Sequence, residues 1–233
     1  MVRRAGSCDG RSVLLALLAG VAGGASLAAP PPPDLPDTPS VRRTLQETLQ
    51  TLNAELLSHD SATVTLEHWC GQRHLAEPAQ VIAHRVQGID KPVSDEQRKL
   101  LQVGANEPVR YRHVQLSCGA VVLSEADNWY VPGRLTAQMN AQLDASDTPF
   151  GKVVSSLHFQ RHTLSAVLLW QPWPEGGDQR QPLMPPPALE VPAAVLEHRA
   201  LLTLPDGTPF SEVVETYTGK ALTGVGDEKS SVN

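Results

Sequence analysis

The sequence predicts an α+β domain in which helices flank an antiparallel β-sheet. Leucines at helical spacing precede the first strands, and two strand–turn–strand patterns follow, at 109–131 and 195–218. Short capped helices precede and interrupt these strands instead of alternating with them, which separates the chain from a parallel α/β arrangement. The 233 residues are 41% hydrophobic and 19% charged, enough apolar chain for one core with tails and too much for a disordered protein. A formal charge of −6 argues against nucleic acid or an anionic membrane surface as the main partner, because both require clustered Lys and Arg. Three cysteines exclude a multi-disulfide framework and a four-thiolate zinc site.

Residues 1–28 read as a secretory signal peptide. Arg3, Arg4 and Arg11 form a basic region, the apolar run Ser12–Ala22 follows, and small residues end in Ser26-Leu27-Ala28. The run is shorter than the ~20 residues of a membrane span and is diluted by Gly20, Gly23 and Gly24. The expectation is therefore a periplasmic or secreted protein with no stable membrane insertion after cleavage at Ala28. Cleavage leaves 16 basic and 24 acidic residues, a net charge of −8. It also removes Cys8, so Cys70 and Cys118 remain as an even pair; a bridge between them would contribute roughly 3–5 kcal/mol. Two separate buried thiols are the alternative, and both stay open.

Residues 29–39 form a proline-rich linker that cannot enter a helix or sheet interior. One domain over 40–218 follows. Ser40 reads as the cap of a helix bearing Leu45, Leu49, Leu52 and Leu56, and a second helix starts near Asp60-Ser61. Residues 80–86 read as a strand and Asp95–Val103 as a short helix or turn. Val109–Ser117 and Val121–Val131 form a hairpin across Cys118-Gly119-Ala120. Leu135, Met139 and Leu143 share one helical face. Thr148-Pro149 reads as a cap with proline at the first helical position, ahead of Phe150, Val153, Val154 and Leu157. A strand over 161–170 leads into a loop, 171–192, that holds nine prolines or glycines. Val195–Leu204 and Phe210–Thr218 close a second hairpin, and residues 219–233 read as a disordered tail.

Two charges interrupt strand alternation. Arg112 shares its parity with Val114 and Leu116, and Glu215 lies between Val213 and Tyr217, so both point among core residues. A charge placed there is costly unless paired or used. Either the two form a structural ion pair, or they face a polar cavity where Arg112 holds a ligand carboxylate and Glu215 moves a proton. His158 and His162, four apart, are a weak metal pattern; His198 lies on the apolar row of Leu196, Ala200 and Leu202; Glu125 and Asp127 share one strand face. No phosphate loop, nucleophile elbow or zinc spacing occurs.

Four short motifs in order resemble the chorismate lyase family and, more distantly, the ligand-sensing domains of some bacterial transcription regulators. They are Leu56-Leu57 with Asp60-Ser61-Ala62-Thr63, Arg110–Gly119, Thr148-Pro149-Phe150-Gly151, and Asp206–Pro209 leading into Val214-Glu215-Thr216-Tyr217, together spanning residues 56–218. The resemblance implies a chorismate lyase-like fold with an internal ligand cavity and no metal or cofactor. It implies cleavage of chorismate to 4-hydroxybenzoate and pyruvate, with Arg112 binding carboxylate and Glu215 in proton transfer or hydrogen bonding. Phe150 stands where the family has a leucine whose backbone lines the site, and Ala62 where it has a methionine against the ligand. Glu215 also comes one residue later after the turn proline than in the family pattern, so a longer turn is expected to hold its register. Residues 127–131 lack the family's arginine on the hairpin's second strand. The functional expectation is cofactor-free elimination of pyruvate from chorismate or a related small carboxylate to give a hydroxybenzoate. The alternative is a non-catalytic periplasmic protein that binds a small carboxylate; a third reading is a structural protein in which Arg112 and Glu215 merely pair. The expected partner is a small carboxylated aromatic or pre-aromatic molecule, and the expected state is a monomer.

Overall fold

Four buried leucines define the first helix, α1 (Pro39–Leu57): Leu45, Leu49, Leu52 and Leu56 face the core at helical spacing. The computed structural model describes residues 35–173 and 187–224, so residues 1–28 (read above as a signal peptide), linker residues 29–34, part of the proline-rich loop and residues 225–233 lie outside the described residues. The cap of α1 is Thr38, whose hydroxyl accepts from the Val41 N–H, not Ser40. Pro39 sits in the first turn, where its missing N–H has no intrahelical partner to lose. The second helix, α2 (Ala62–Gln72), is capped by Ser61 and buries Leu66, Trp69 and Cys70.

Six strands form one antiparallel sheet. They are β1 (Val81–Arg85), β2 (Arg110–Cys118), β3 (Val121–Tyr130), β4 (Gln160–Leu168), β5 (Ala194–Thr203) and β6 (Pro209–Thr218), in the order β1-β2-β3-β6-β5-β4. The first hairpin turns at Gly119, whose φ of +55° suits glycine; a Cβ there would meet that of Ala76 at 2.8 Å. Its alternation from Arg112 to Leu116 is as the sequence requires: Arg112, Val114 and Leu116 are buried while His113 and Gln115 are not, and Arg110, of the same parity, is exposed at the strand end. The closing hairpin keeps Glu215 in register by another device than the expected longer turn. Leu202 opposes Ser211 but Thr203 opposes Pro209, so Phe210 is an extra residue bulged into β6. The bulge absorbs the additional position, and Glu215 faces Ala126 on one side and His198 on the other.

The helices α1 and α2 cover one face, where Leu49, Leu52, Leu56, Leu66 and Trp69 pack on Val114, Leu116, Ala126, Val213 and Tyr217. A second cluster joins α4 (Ala137–Ala145), through Met139 and Leu143, to Tyr130, Phe159, Leu202 and Phe210. The helix α5 (Phe150–Val153) is a single turn that starts one residue later than the sequence suggests; Thr148 does not cap it. The Thr148 hydroxyl accepts from Ser146 instead. The opposite face carries Trp129 and Val131 under Leu101, which follows α3 (Asp95–Leu100).

The tail is ordered further than its polarity suggests. Residues Lys220–Thr223 form a short helix, α6, with Ala221 and Leu222 buried. The Trp69 indole donates to the Ala221 carbonyl at 3.0 Å and Arg73 to that of Leu222 at 2.7 Å. Two apolar residues and two helix-end carbonyls thus hold a segment that a composition argument assigns to the disordered tail. Cys70 of α2 and Cys118 of β2 form a disulfide, with Cα atoms 6.3 Å apart. No described helix is long and apolar enough to cross a membrane.

Candidate ligand-binding site

Where the first turns of α2 and α5 approach the sheet, a cavity of about 50 Å³ opens between the two core clusters. That is room for roughly three or four waters or one small molecule. Gly151 lets the two helices close over it: a Cβ there would stand 3.1 Å from the Ser61 hydroxyl and 3.3 Å from that of Thr63. The walls are mostly apolar, from Val114, Leu116, Phe150, Phe159, Leu202 and Val213. Arg112, Glu215, Phe150 and Ala62, the four candidates from sequence, all line it.

Arg112 is 3% exposed. Its Nη2 donates to the Thr148 carbonyl at 3.4 Å, while Nε and Nη1 are buried without a hydrogen-bond partner. Burial, then the nearby Arg85 charge, lowers its pKa from the ordinary arginine value. A guanidinium nevertheless stays charged at physiological pH. A buried cation with two unpartnered nitrogens is costly to the fold, and its donors are free to meet an acceptor in the cavity.

The ion pair between Arg112 and Glu215 does not form. In the sheet, Arg112 opposes Asn128 and Asn128 opposes Val213, so β3 lies between β2 and β6 just as β5 lies between β4 and β6. Glu215 is taken from the other side by Arg161 of β4. Arg161 Nη2 lies 2.5 Å from Glu215 Oε2, which also accepts from the Tyr217 hydroxyl at 3.1 Å. Burial opposes the Arg161 charge, but Glu215 outweighs it and the pKa is raised. The Arg161 backbone N–H donates to Asp60 at the cavity rim. Asn128, buried beside Arg112, accepts from Ser211 through Oδ1 at 3.3 Å. The Glu215 Oε2 atom is thus already occupied by an arginine and a phenol and is not free to take a proton from a bound molecule.

Other candidates lie apart from the cavity. Asp127, on the opposite face, accepts from Lys91 and Tyr111 at 2.5 Å each and contacts His113 Nδ1 at 2.7 Å. Burial alone would raise its pKa, but these three donors hold it below the ordinary carboxylate value. Glu125 accepts from Gln115. His162 contacts the Thr203 hydroxyl at 2.9 Å, and His158 sits in a left-handed turn at φ 50°. Among the described residues no group of three His, Cys, Asp or Glu could hold a metal.

His198 is fully buried, with Nε2 2.7 Å from Asn53 Oδ1 and Nδ1 without a partner. Burial, then the Arg161 charge, pushes its pKa down to about 4, with Glu215 opposing. The folded protein therefore keeps His198 neutral while the unfolded chain protonates it below about 6.5. Between these values the unfolded state binds more protons, so acid favours unfolding. Stability should fall by about 3 kcal/mol from pH 7 to pH 4 on this account, in addition to other groups. Urea unfolding across that range should show a shallower decline for His198→Gln; equal slopes would remove His198 as the cause.

No family model matches the chain. Uncharacterized protein y4mC of Sinorhizobium fredii (strain NBRC 101917 / NGR234) is 55% identical over 183 residues, 75% of this chain and 75% of that protein. The chain belongs to the y4mC family. Solved structures similar to this y4mC-family chain include the effector domain of PhnF from Mycobacterium smegmatis. It is 13% identical with a TM-score of 0.43, over 69% of this chain and 90% of that one. A GntR-family transcriptional regulator from Enterococcus faecalis V583 is 15% identical with a TM-score of 0.39, over 60% of this chain and 94% of that one.

Sequence reasoning missed three polar groups of this y4mC-family site: Arg161, Asn128 and Tyr217 as partner of Glu215. Asn128 has the parity of Ala126 and could have been placed by alternation. Arg161 could not, because the ladder slips between Thr163 and Ser165 and parity is lost across that break.

Proposed function

We propose that this domain binds a small carboxylated molecule in the cavity, with Arg112 as the receptor for its carboxylate. The observation that carries the reading is the buried Arg112 guanidinium with Nε and Nη1 unpartnered. Apolar walls suit a ring or a short hydrocarbon body, and a charge-assisted hydrogen bond to the guanidinium fixes its orientation. The compartment belongs to the same proposal. An export signal over residues 1–28 would deliver the chain to an oxidising environment, where a Cys70–Cys118 disulfide persists.

A lyase reading draws on one observation, that Glu215 lines the same cavity as Arg112. The Arg161 ion pair weighs against Glu215 as a proton acceptor, so binding without turnover is the primary reading. Calorimetric titration of the mature protein with 4-hydroxybenzoate should show saturable binding. Arg112→Met should weaken it on the order of 100-fold, the cost of removing one partner of a buried charge pair, while unfolding no earlier than wild type. Chorismate incubated with the protein should give no 4-hydroxybenzoate absorbance; its appearance would establish the lyase reading. Unchanged binding by Arg112→Met would remove the receptor role.

A further inference from the structure

Four ionisable side chains line the cavity: Arg112, Arg161, Glu215 and Asp60. Their arrangement is lopsided. Arg112 has no anion within hydrogen-bond distance; the charged groups acting on it from outside the cavity are Arg85, Asp144 and Asp147. Of these, Asp144 is held by Arg110 at 2.9 Å and its backbone carbonyl by Arg85. At the other end a single residue, Arg161, holds two carboxylates, only one of them through its guanidinium. Arg161 is bound to Glu215 through its side chain and to Asp60 through its backbone N–H. Asp60, Ser61, Gly151 and Phe159 line both the cavity and an open groove outside it, so they form the wall between inner site and solvent. Glu215 and Asp60 line the same cavity as Arg112, so a molecule seated with a carboxylate on Arg112 shares that small space with both carboxylates.

We propose that the site selects monocarboxylates over dicarboxylates, because its second arginine is neutralised by Glu215 and its rim carries Asp60. This rests on the carboxylate-binding reading above and adds the charge class of the ligand. A carboxylate at the far end would meet two like charges and a guanidinium already paired with one of them, in a space with little water to screen them. An uncharged far end meets no such repulsion, and one bearing N–H or O–H groups can donate to the carboxylates. Shape is not the discriminant, so the test holds shape fixed and changes charge.

Two isosteric pairs serve as probes, succinamate with succinate and 3-carbamoylbenzoate with isophthalate. Each pair differs by an amide against a carboxylate. Titrations into the mature wild-type protein at neutral pH should give the amide member at least tenfold tighter binding in both pairs. Glu215→Gln frees Arg161, so the gap should close or invert in that variant, its fold checked by circular dichroism. If succinate or isophthalate binds wild type as tightly as its amide partner, the charge selection is wrong and the carboxylate-binding reading stands. If no member of either pair binds the folded protein, the carboxylate-binding reading fails and this inference fails with it.

Discussion

Arg161→Met should lower the unfolding free energy by about 3–5 kcal/mol, the loss expected when one member of a buried ion pair is removed. The Arg161 and Glu215 side chains are 4% and 7% exposed. Without Arg161 the Glu215 carboxylate keeps only the Tyr217 hydroxyl, in a wall otherwise built of Val213, Leu202 and Phe159. Most of the cost is therefore the stranded charge and not the lost attraction. The double variant Arg161→Met/Glu215→Leu should regain the larger part, since apolar replacements of a buried pair are often neutral or stabilising. Urea denaturation of the two variants and wild type measures both effects. A single variant within 1 kcal/mol of wild type would show that Glu215 finds another partner or water.

Removing the disulfide should be nearly as costly. Cys70 and Cys118 are 48 residues apart in sequence, and a cross-link closing a loop of that length is worth about 4 kcal/mol through the unfolded state. Both positions are fully buried, so the Cys70→Ala/Cys118→Ala chain also loses packing between α2 and β2. The helix it releases carries Ala62 and Thr63 over the cavity, while the strand carries Arg112. Destabilisation should therefore come with weaker ligand binding. The check is denaturant unfolding of the double-alanine chain beside wild type; a difference under about 1 kcal/mol would mean that the cross-link constrains little.

Much of the fold was legible because it rests on short-range patterns. Alternation along 109–131 fixed the first hairpin, and a carboxylate between Val213 and Tyr217 was visible as an interruption of the last strand. The cavity residues on helices, Ala62 and Phe150, came from motif resemblance and not from periodicity. What escaped depended on irregularities that alternation cannot express. The bulge at Phe210 replaced the longer turn expected before Glu215, and the slip after Thr163 hid which way Arg161 faces. The order of strands was equally invisible. It sets Arg112 and Arg161 each one strand away from β6, on opposite sides, and it is the Arg161 side chain that reaches across β5 to Glu215. The helix Lys220–Thr223 is too short to have a period, and only its contacts with Trp69 and Arg73 explain its order.

Native mass spectrometry of the mature protein, purified without denaturation and then incubated with 4-hydroxybenzoate, addresses the cavity most directly. Wild type should carry one small monocarboxylic acid per chain, retained from its source or taken up in the incubation, and Arg112→Gln should be observed as the bare polypeptide. A wild-type chain that stays empty, or a variant that holds the same acid equally well, would contradict an anion receptor at Arg112.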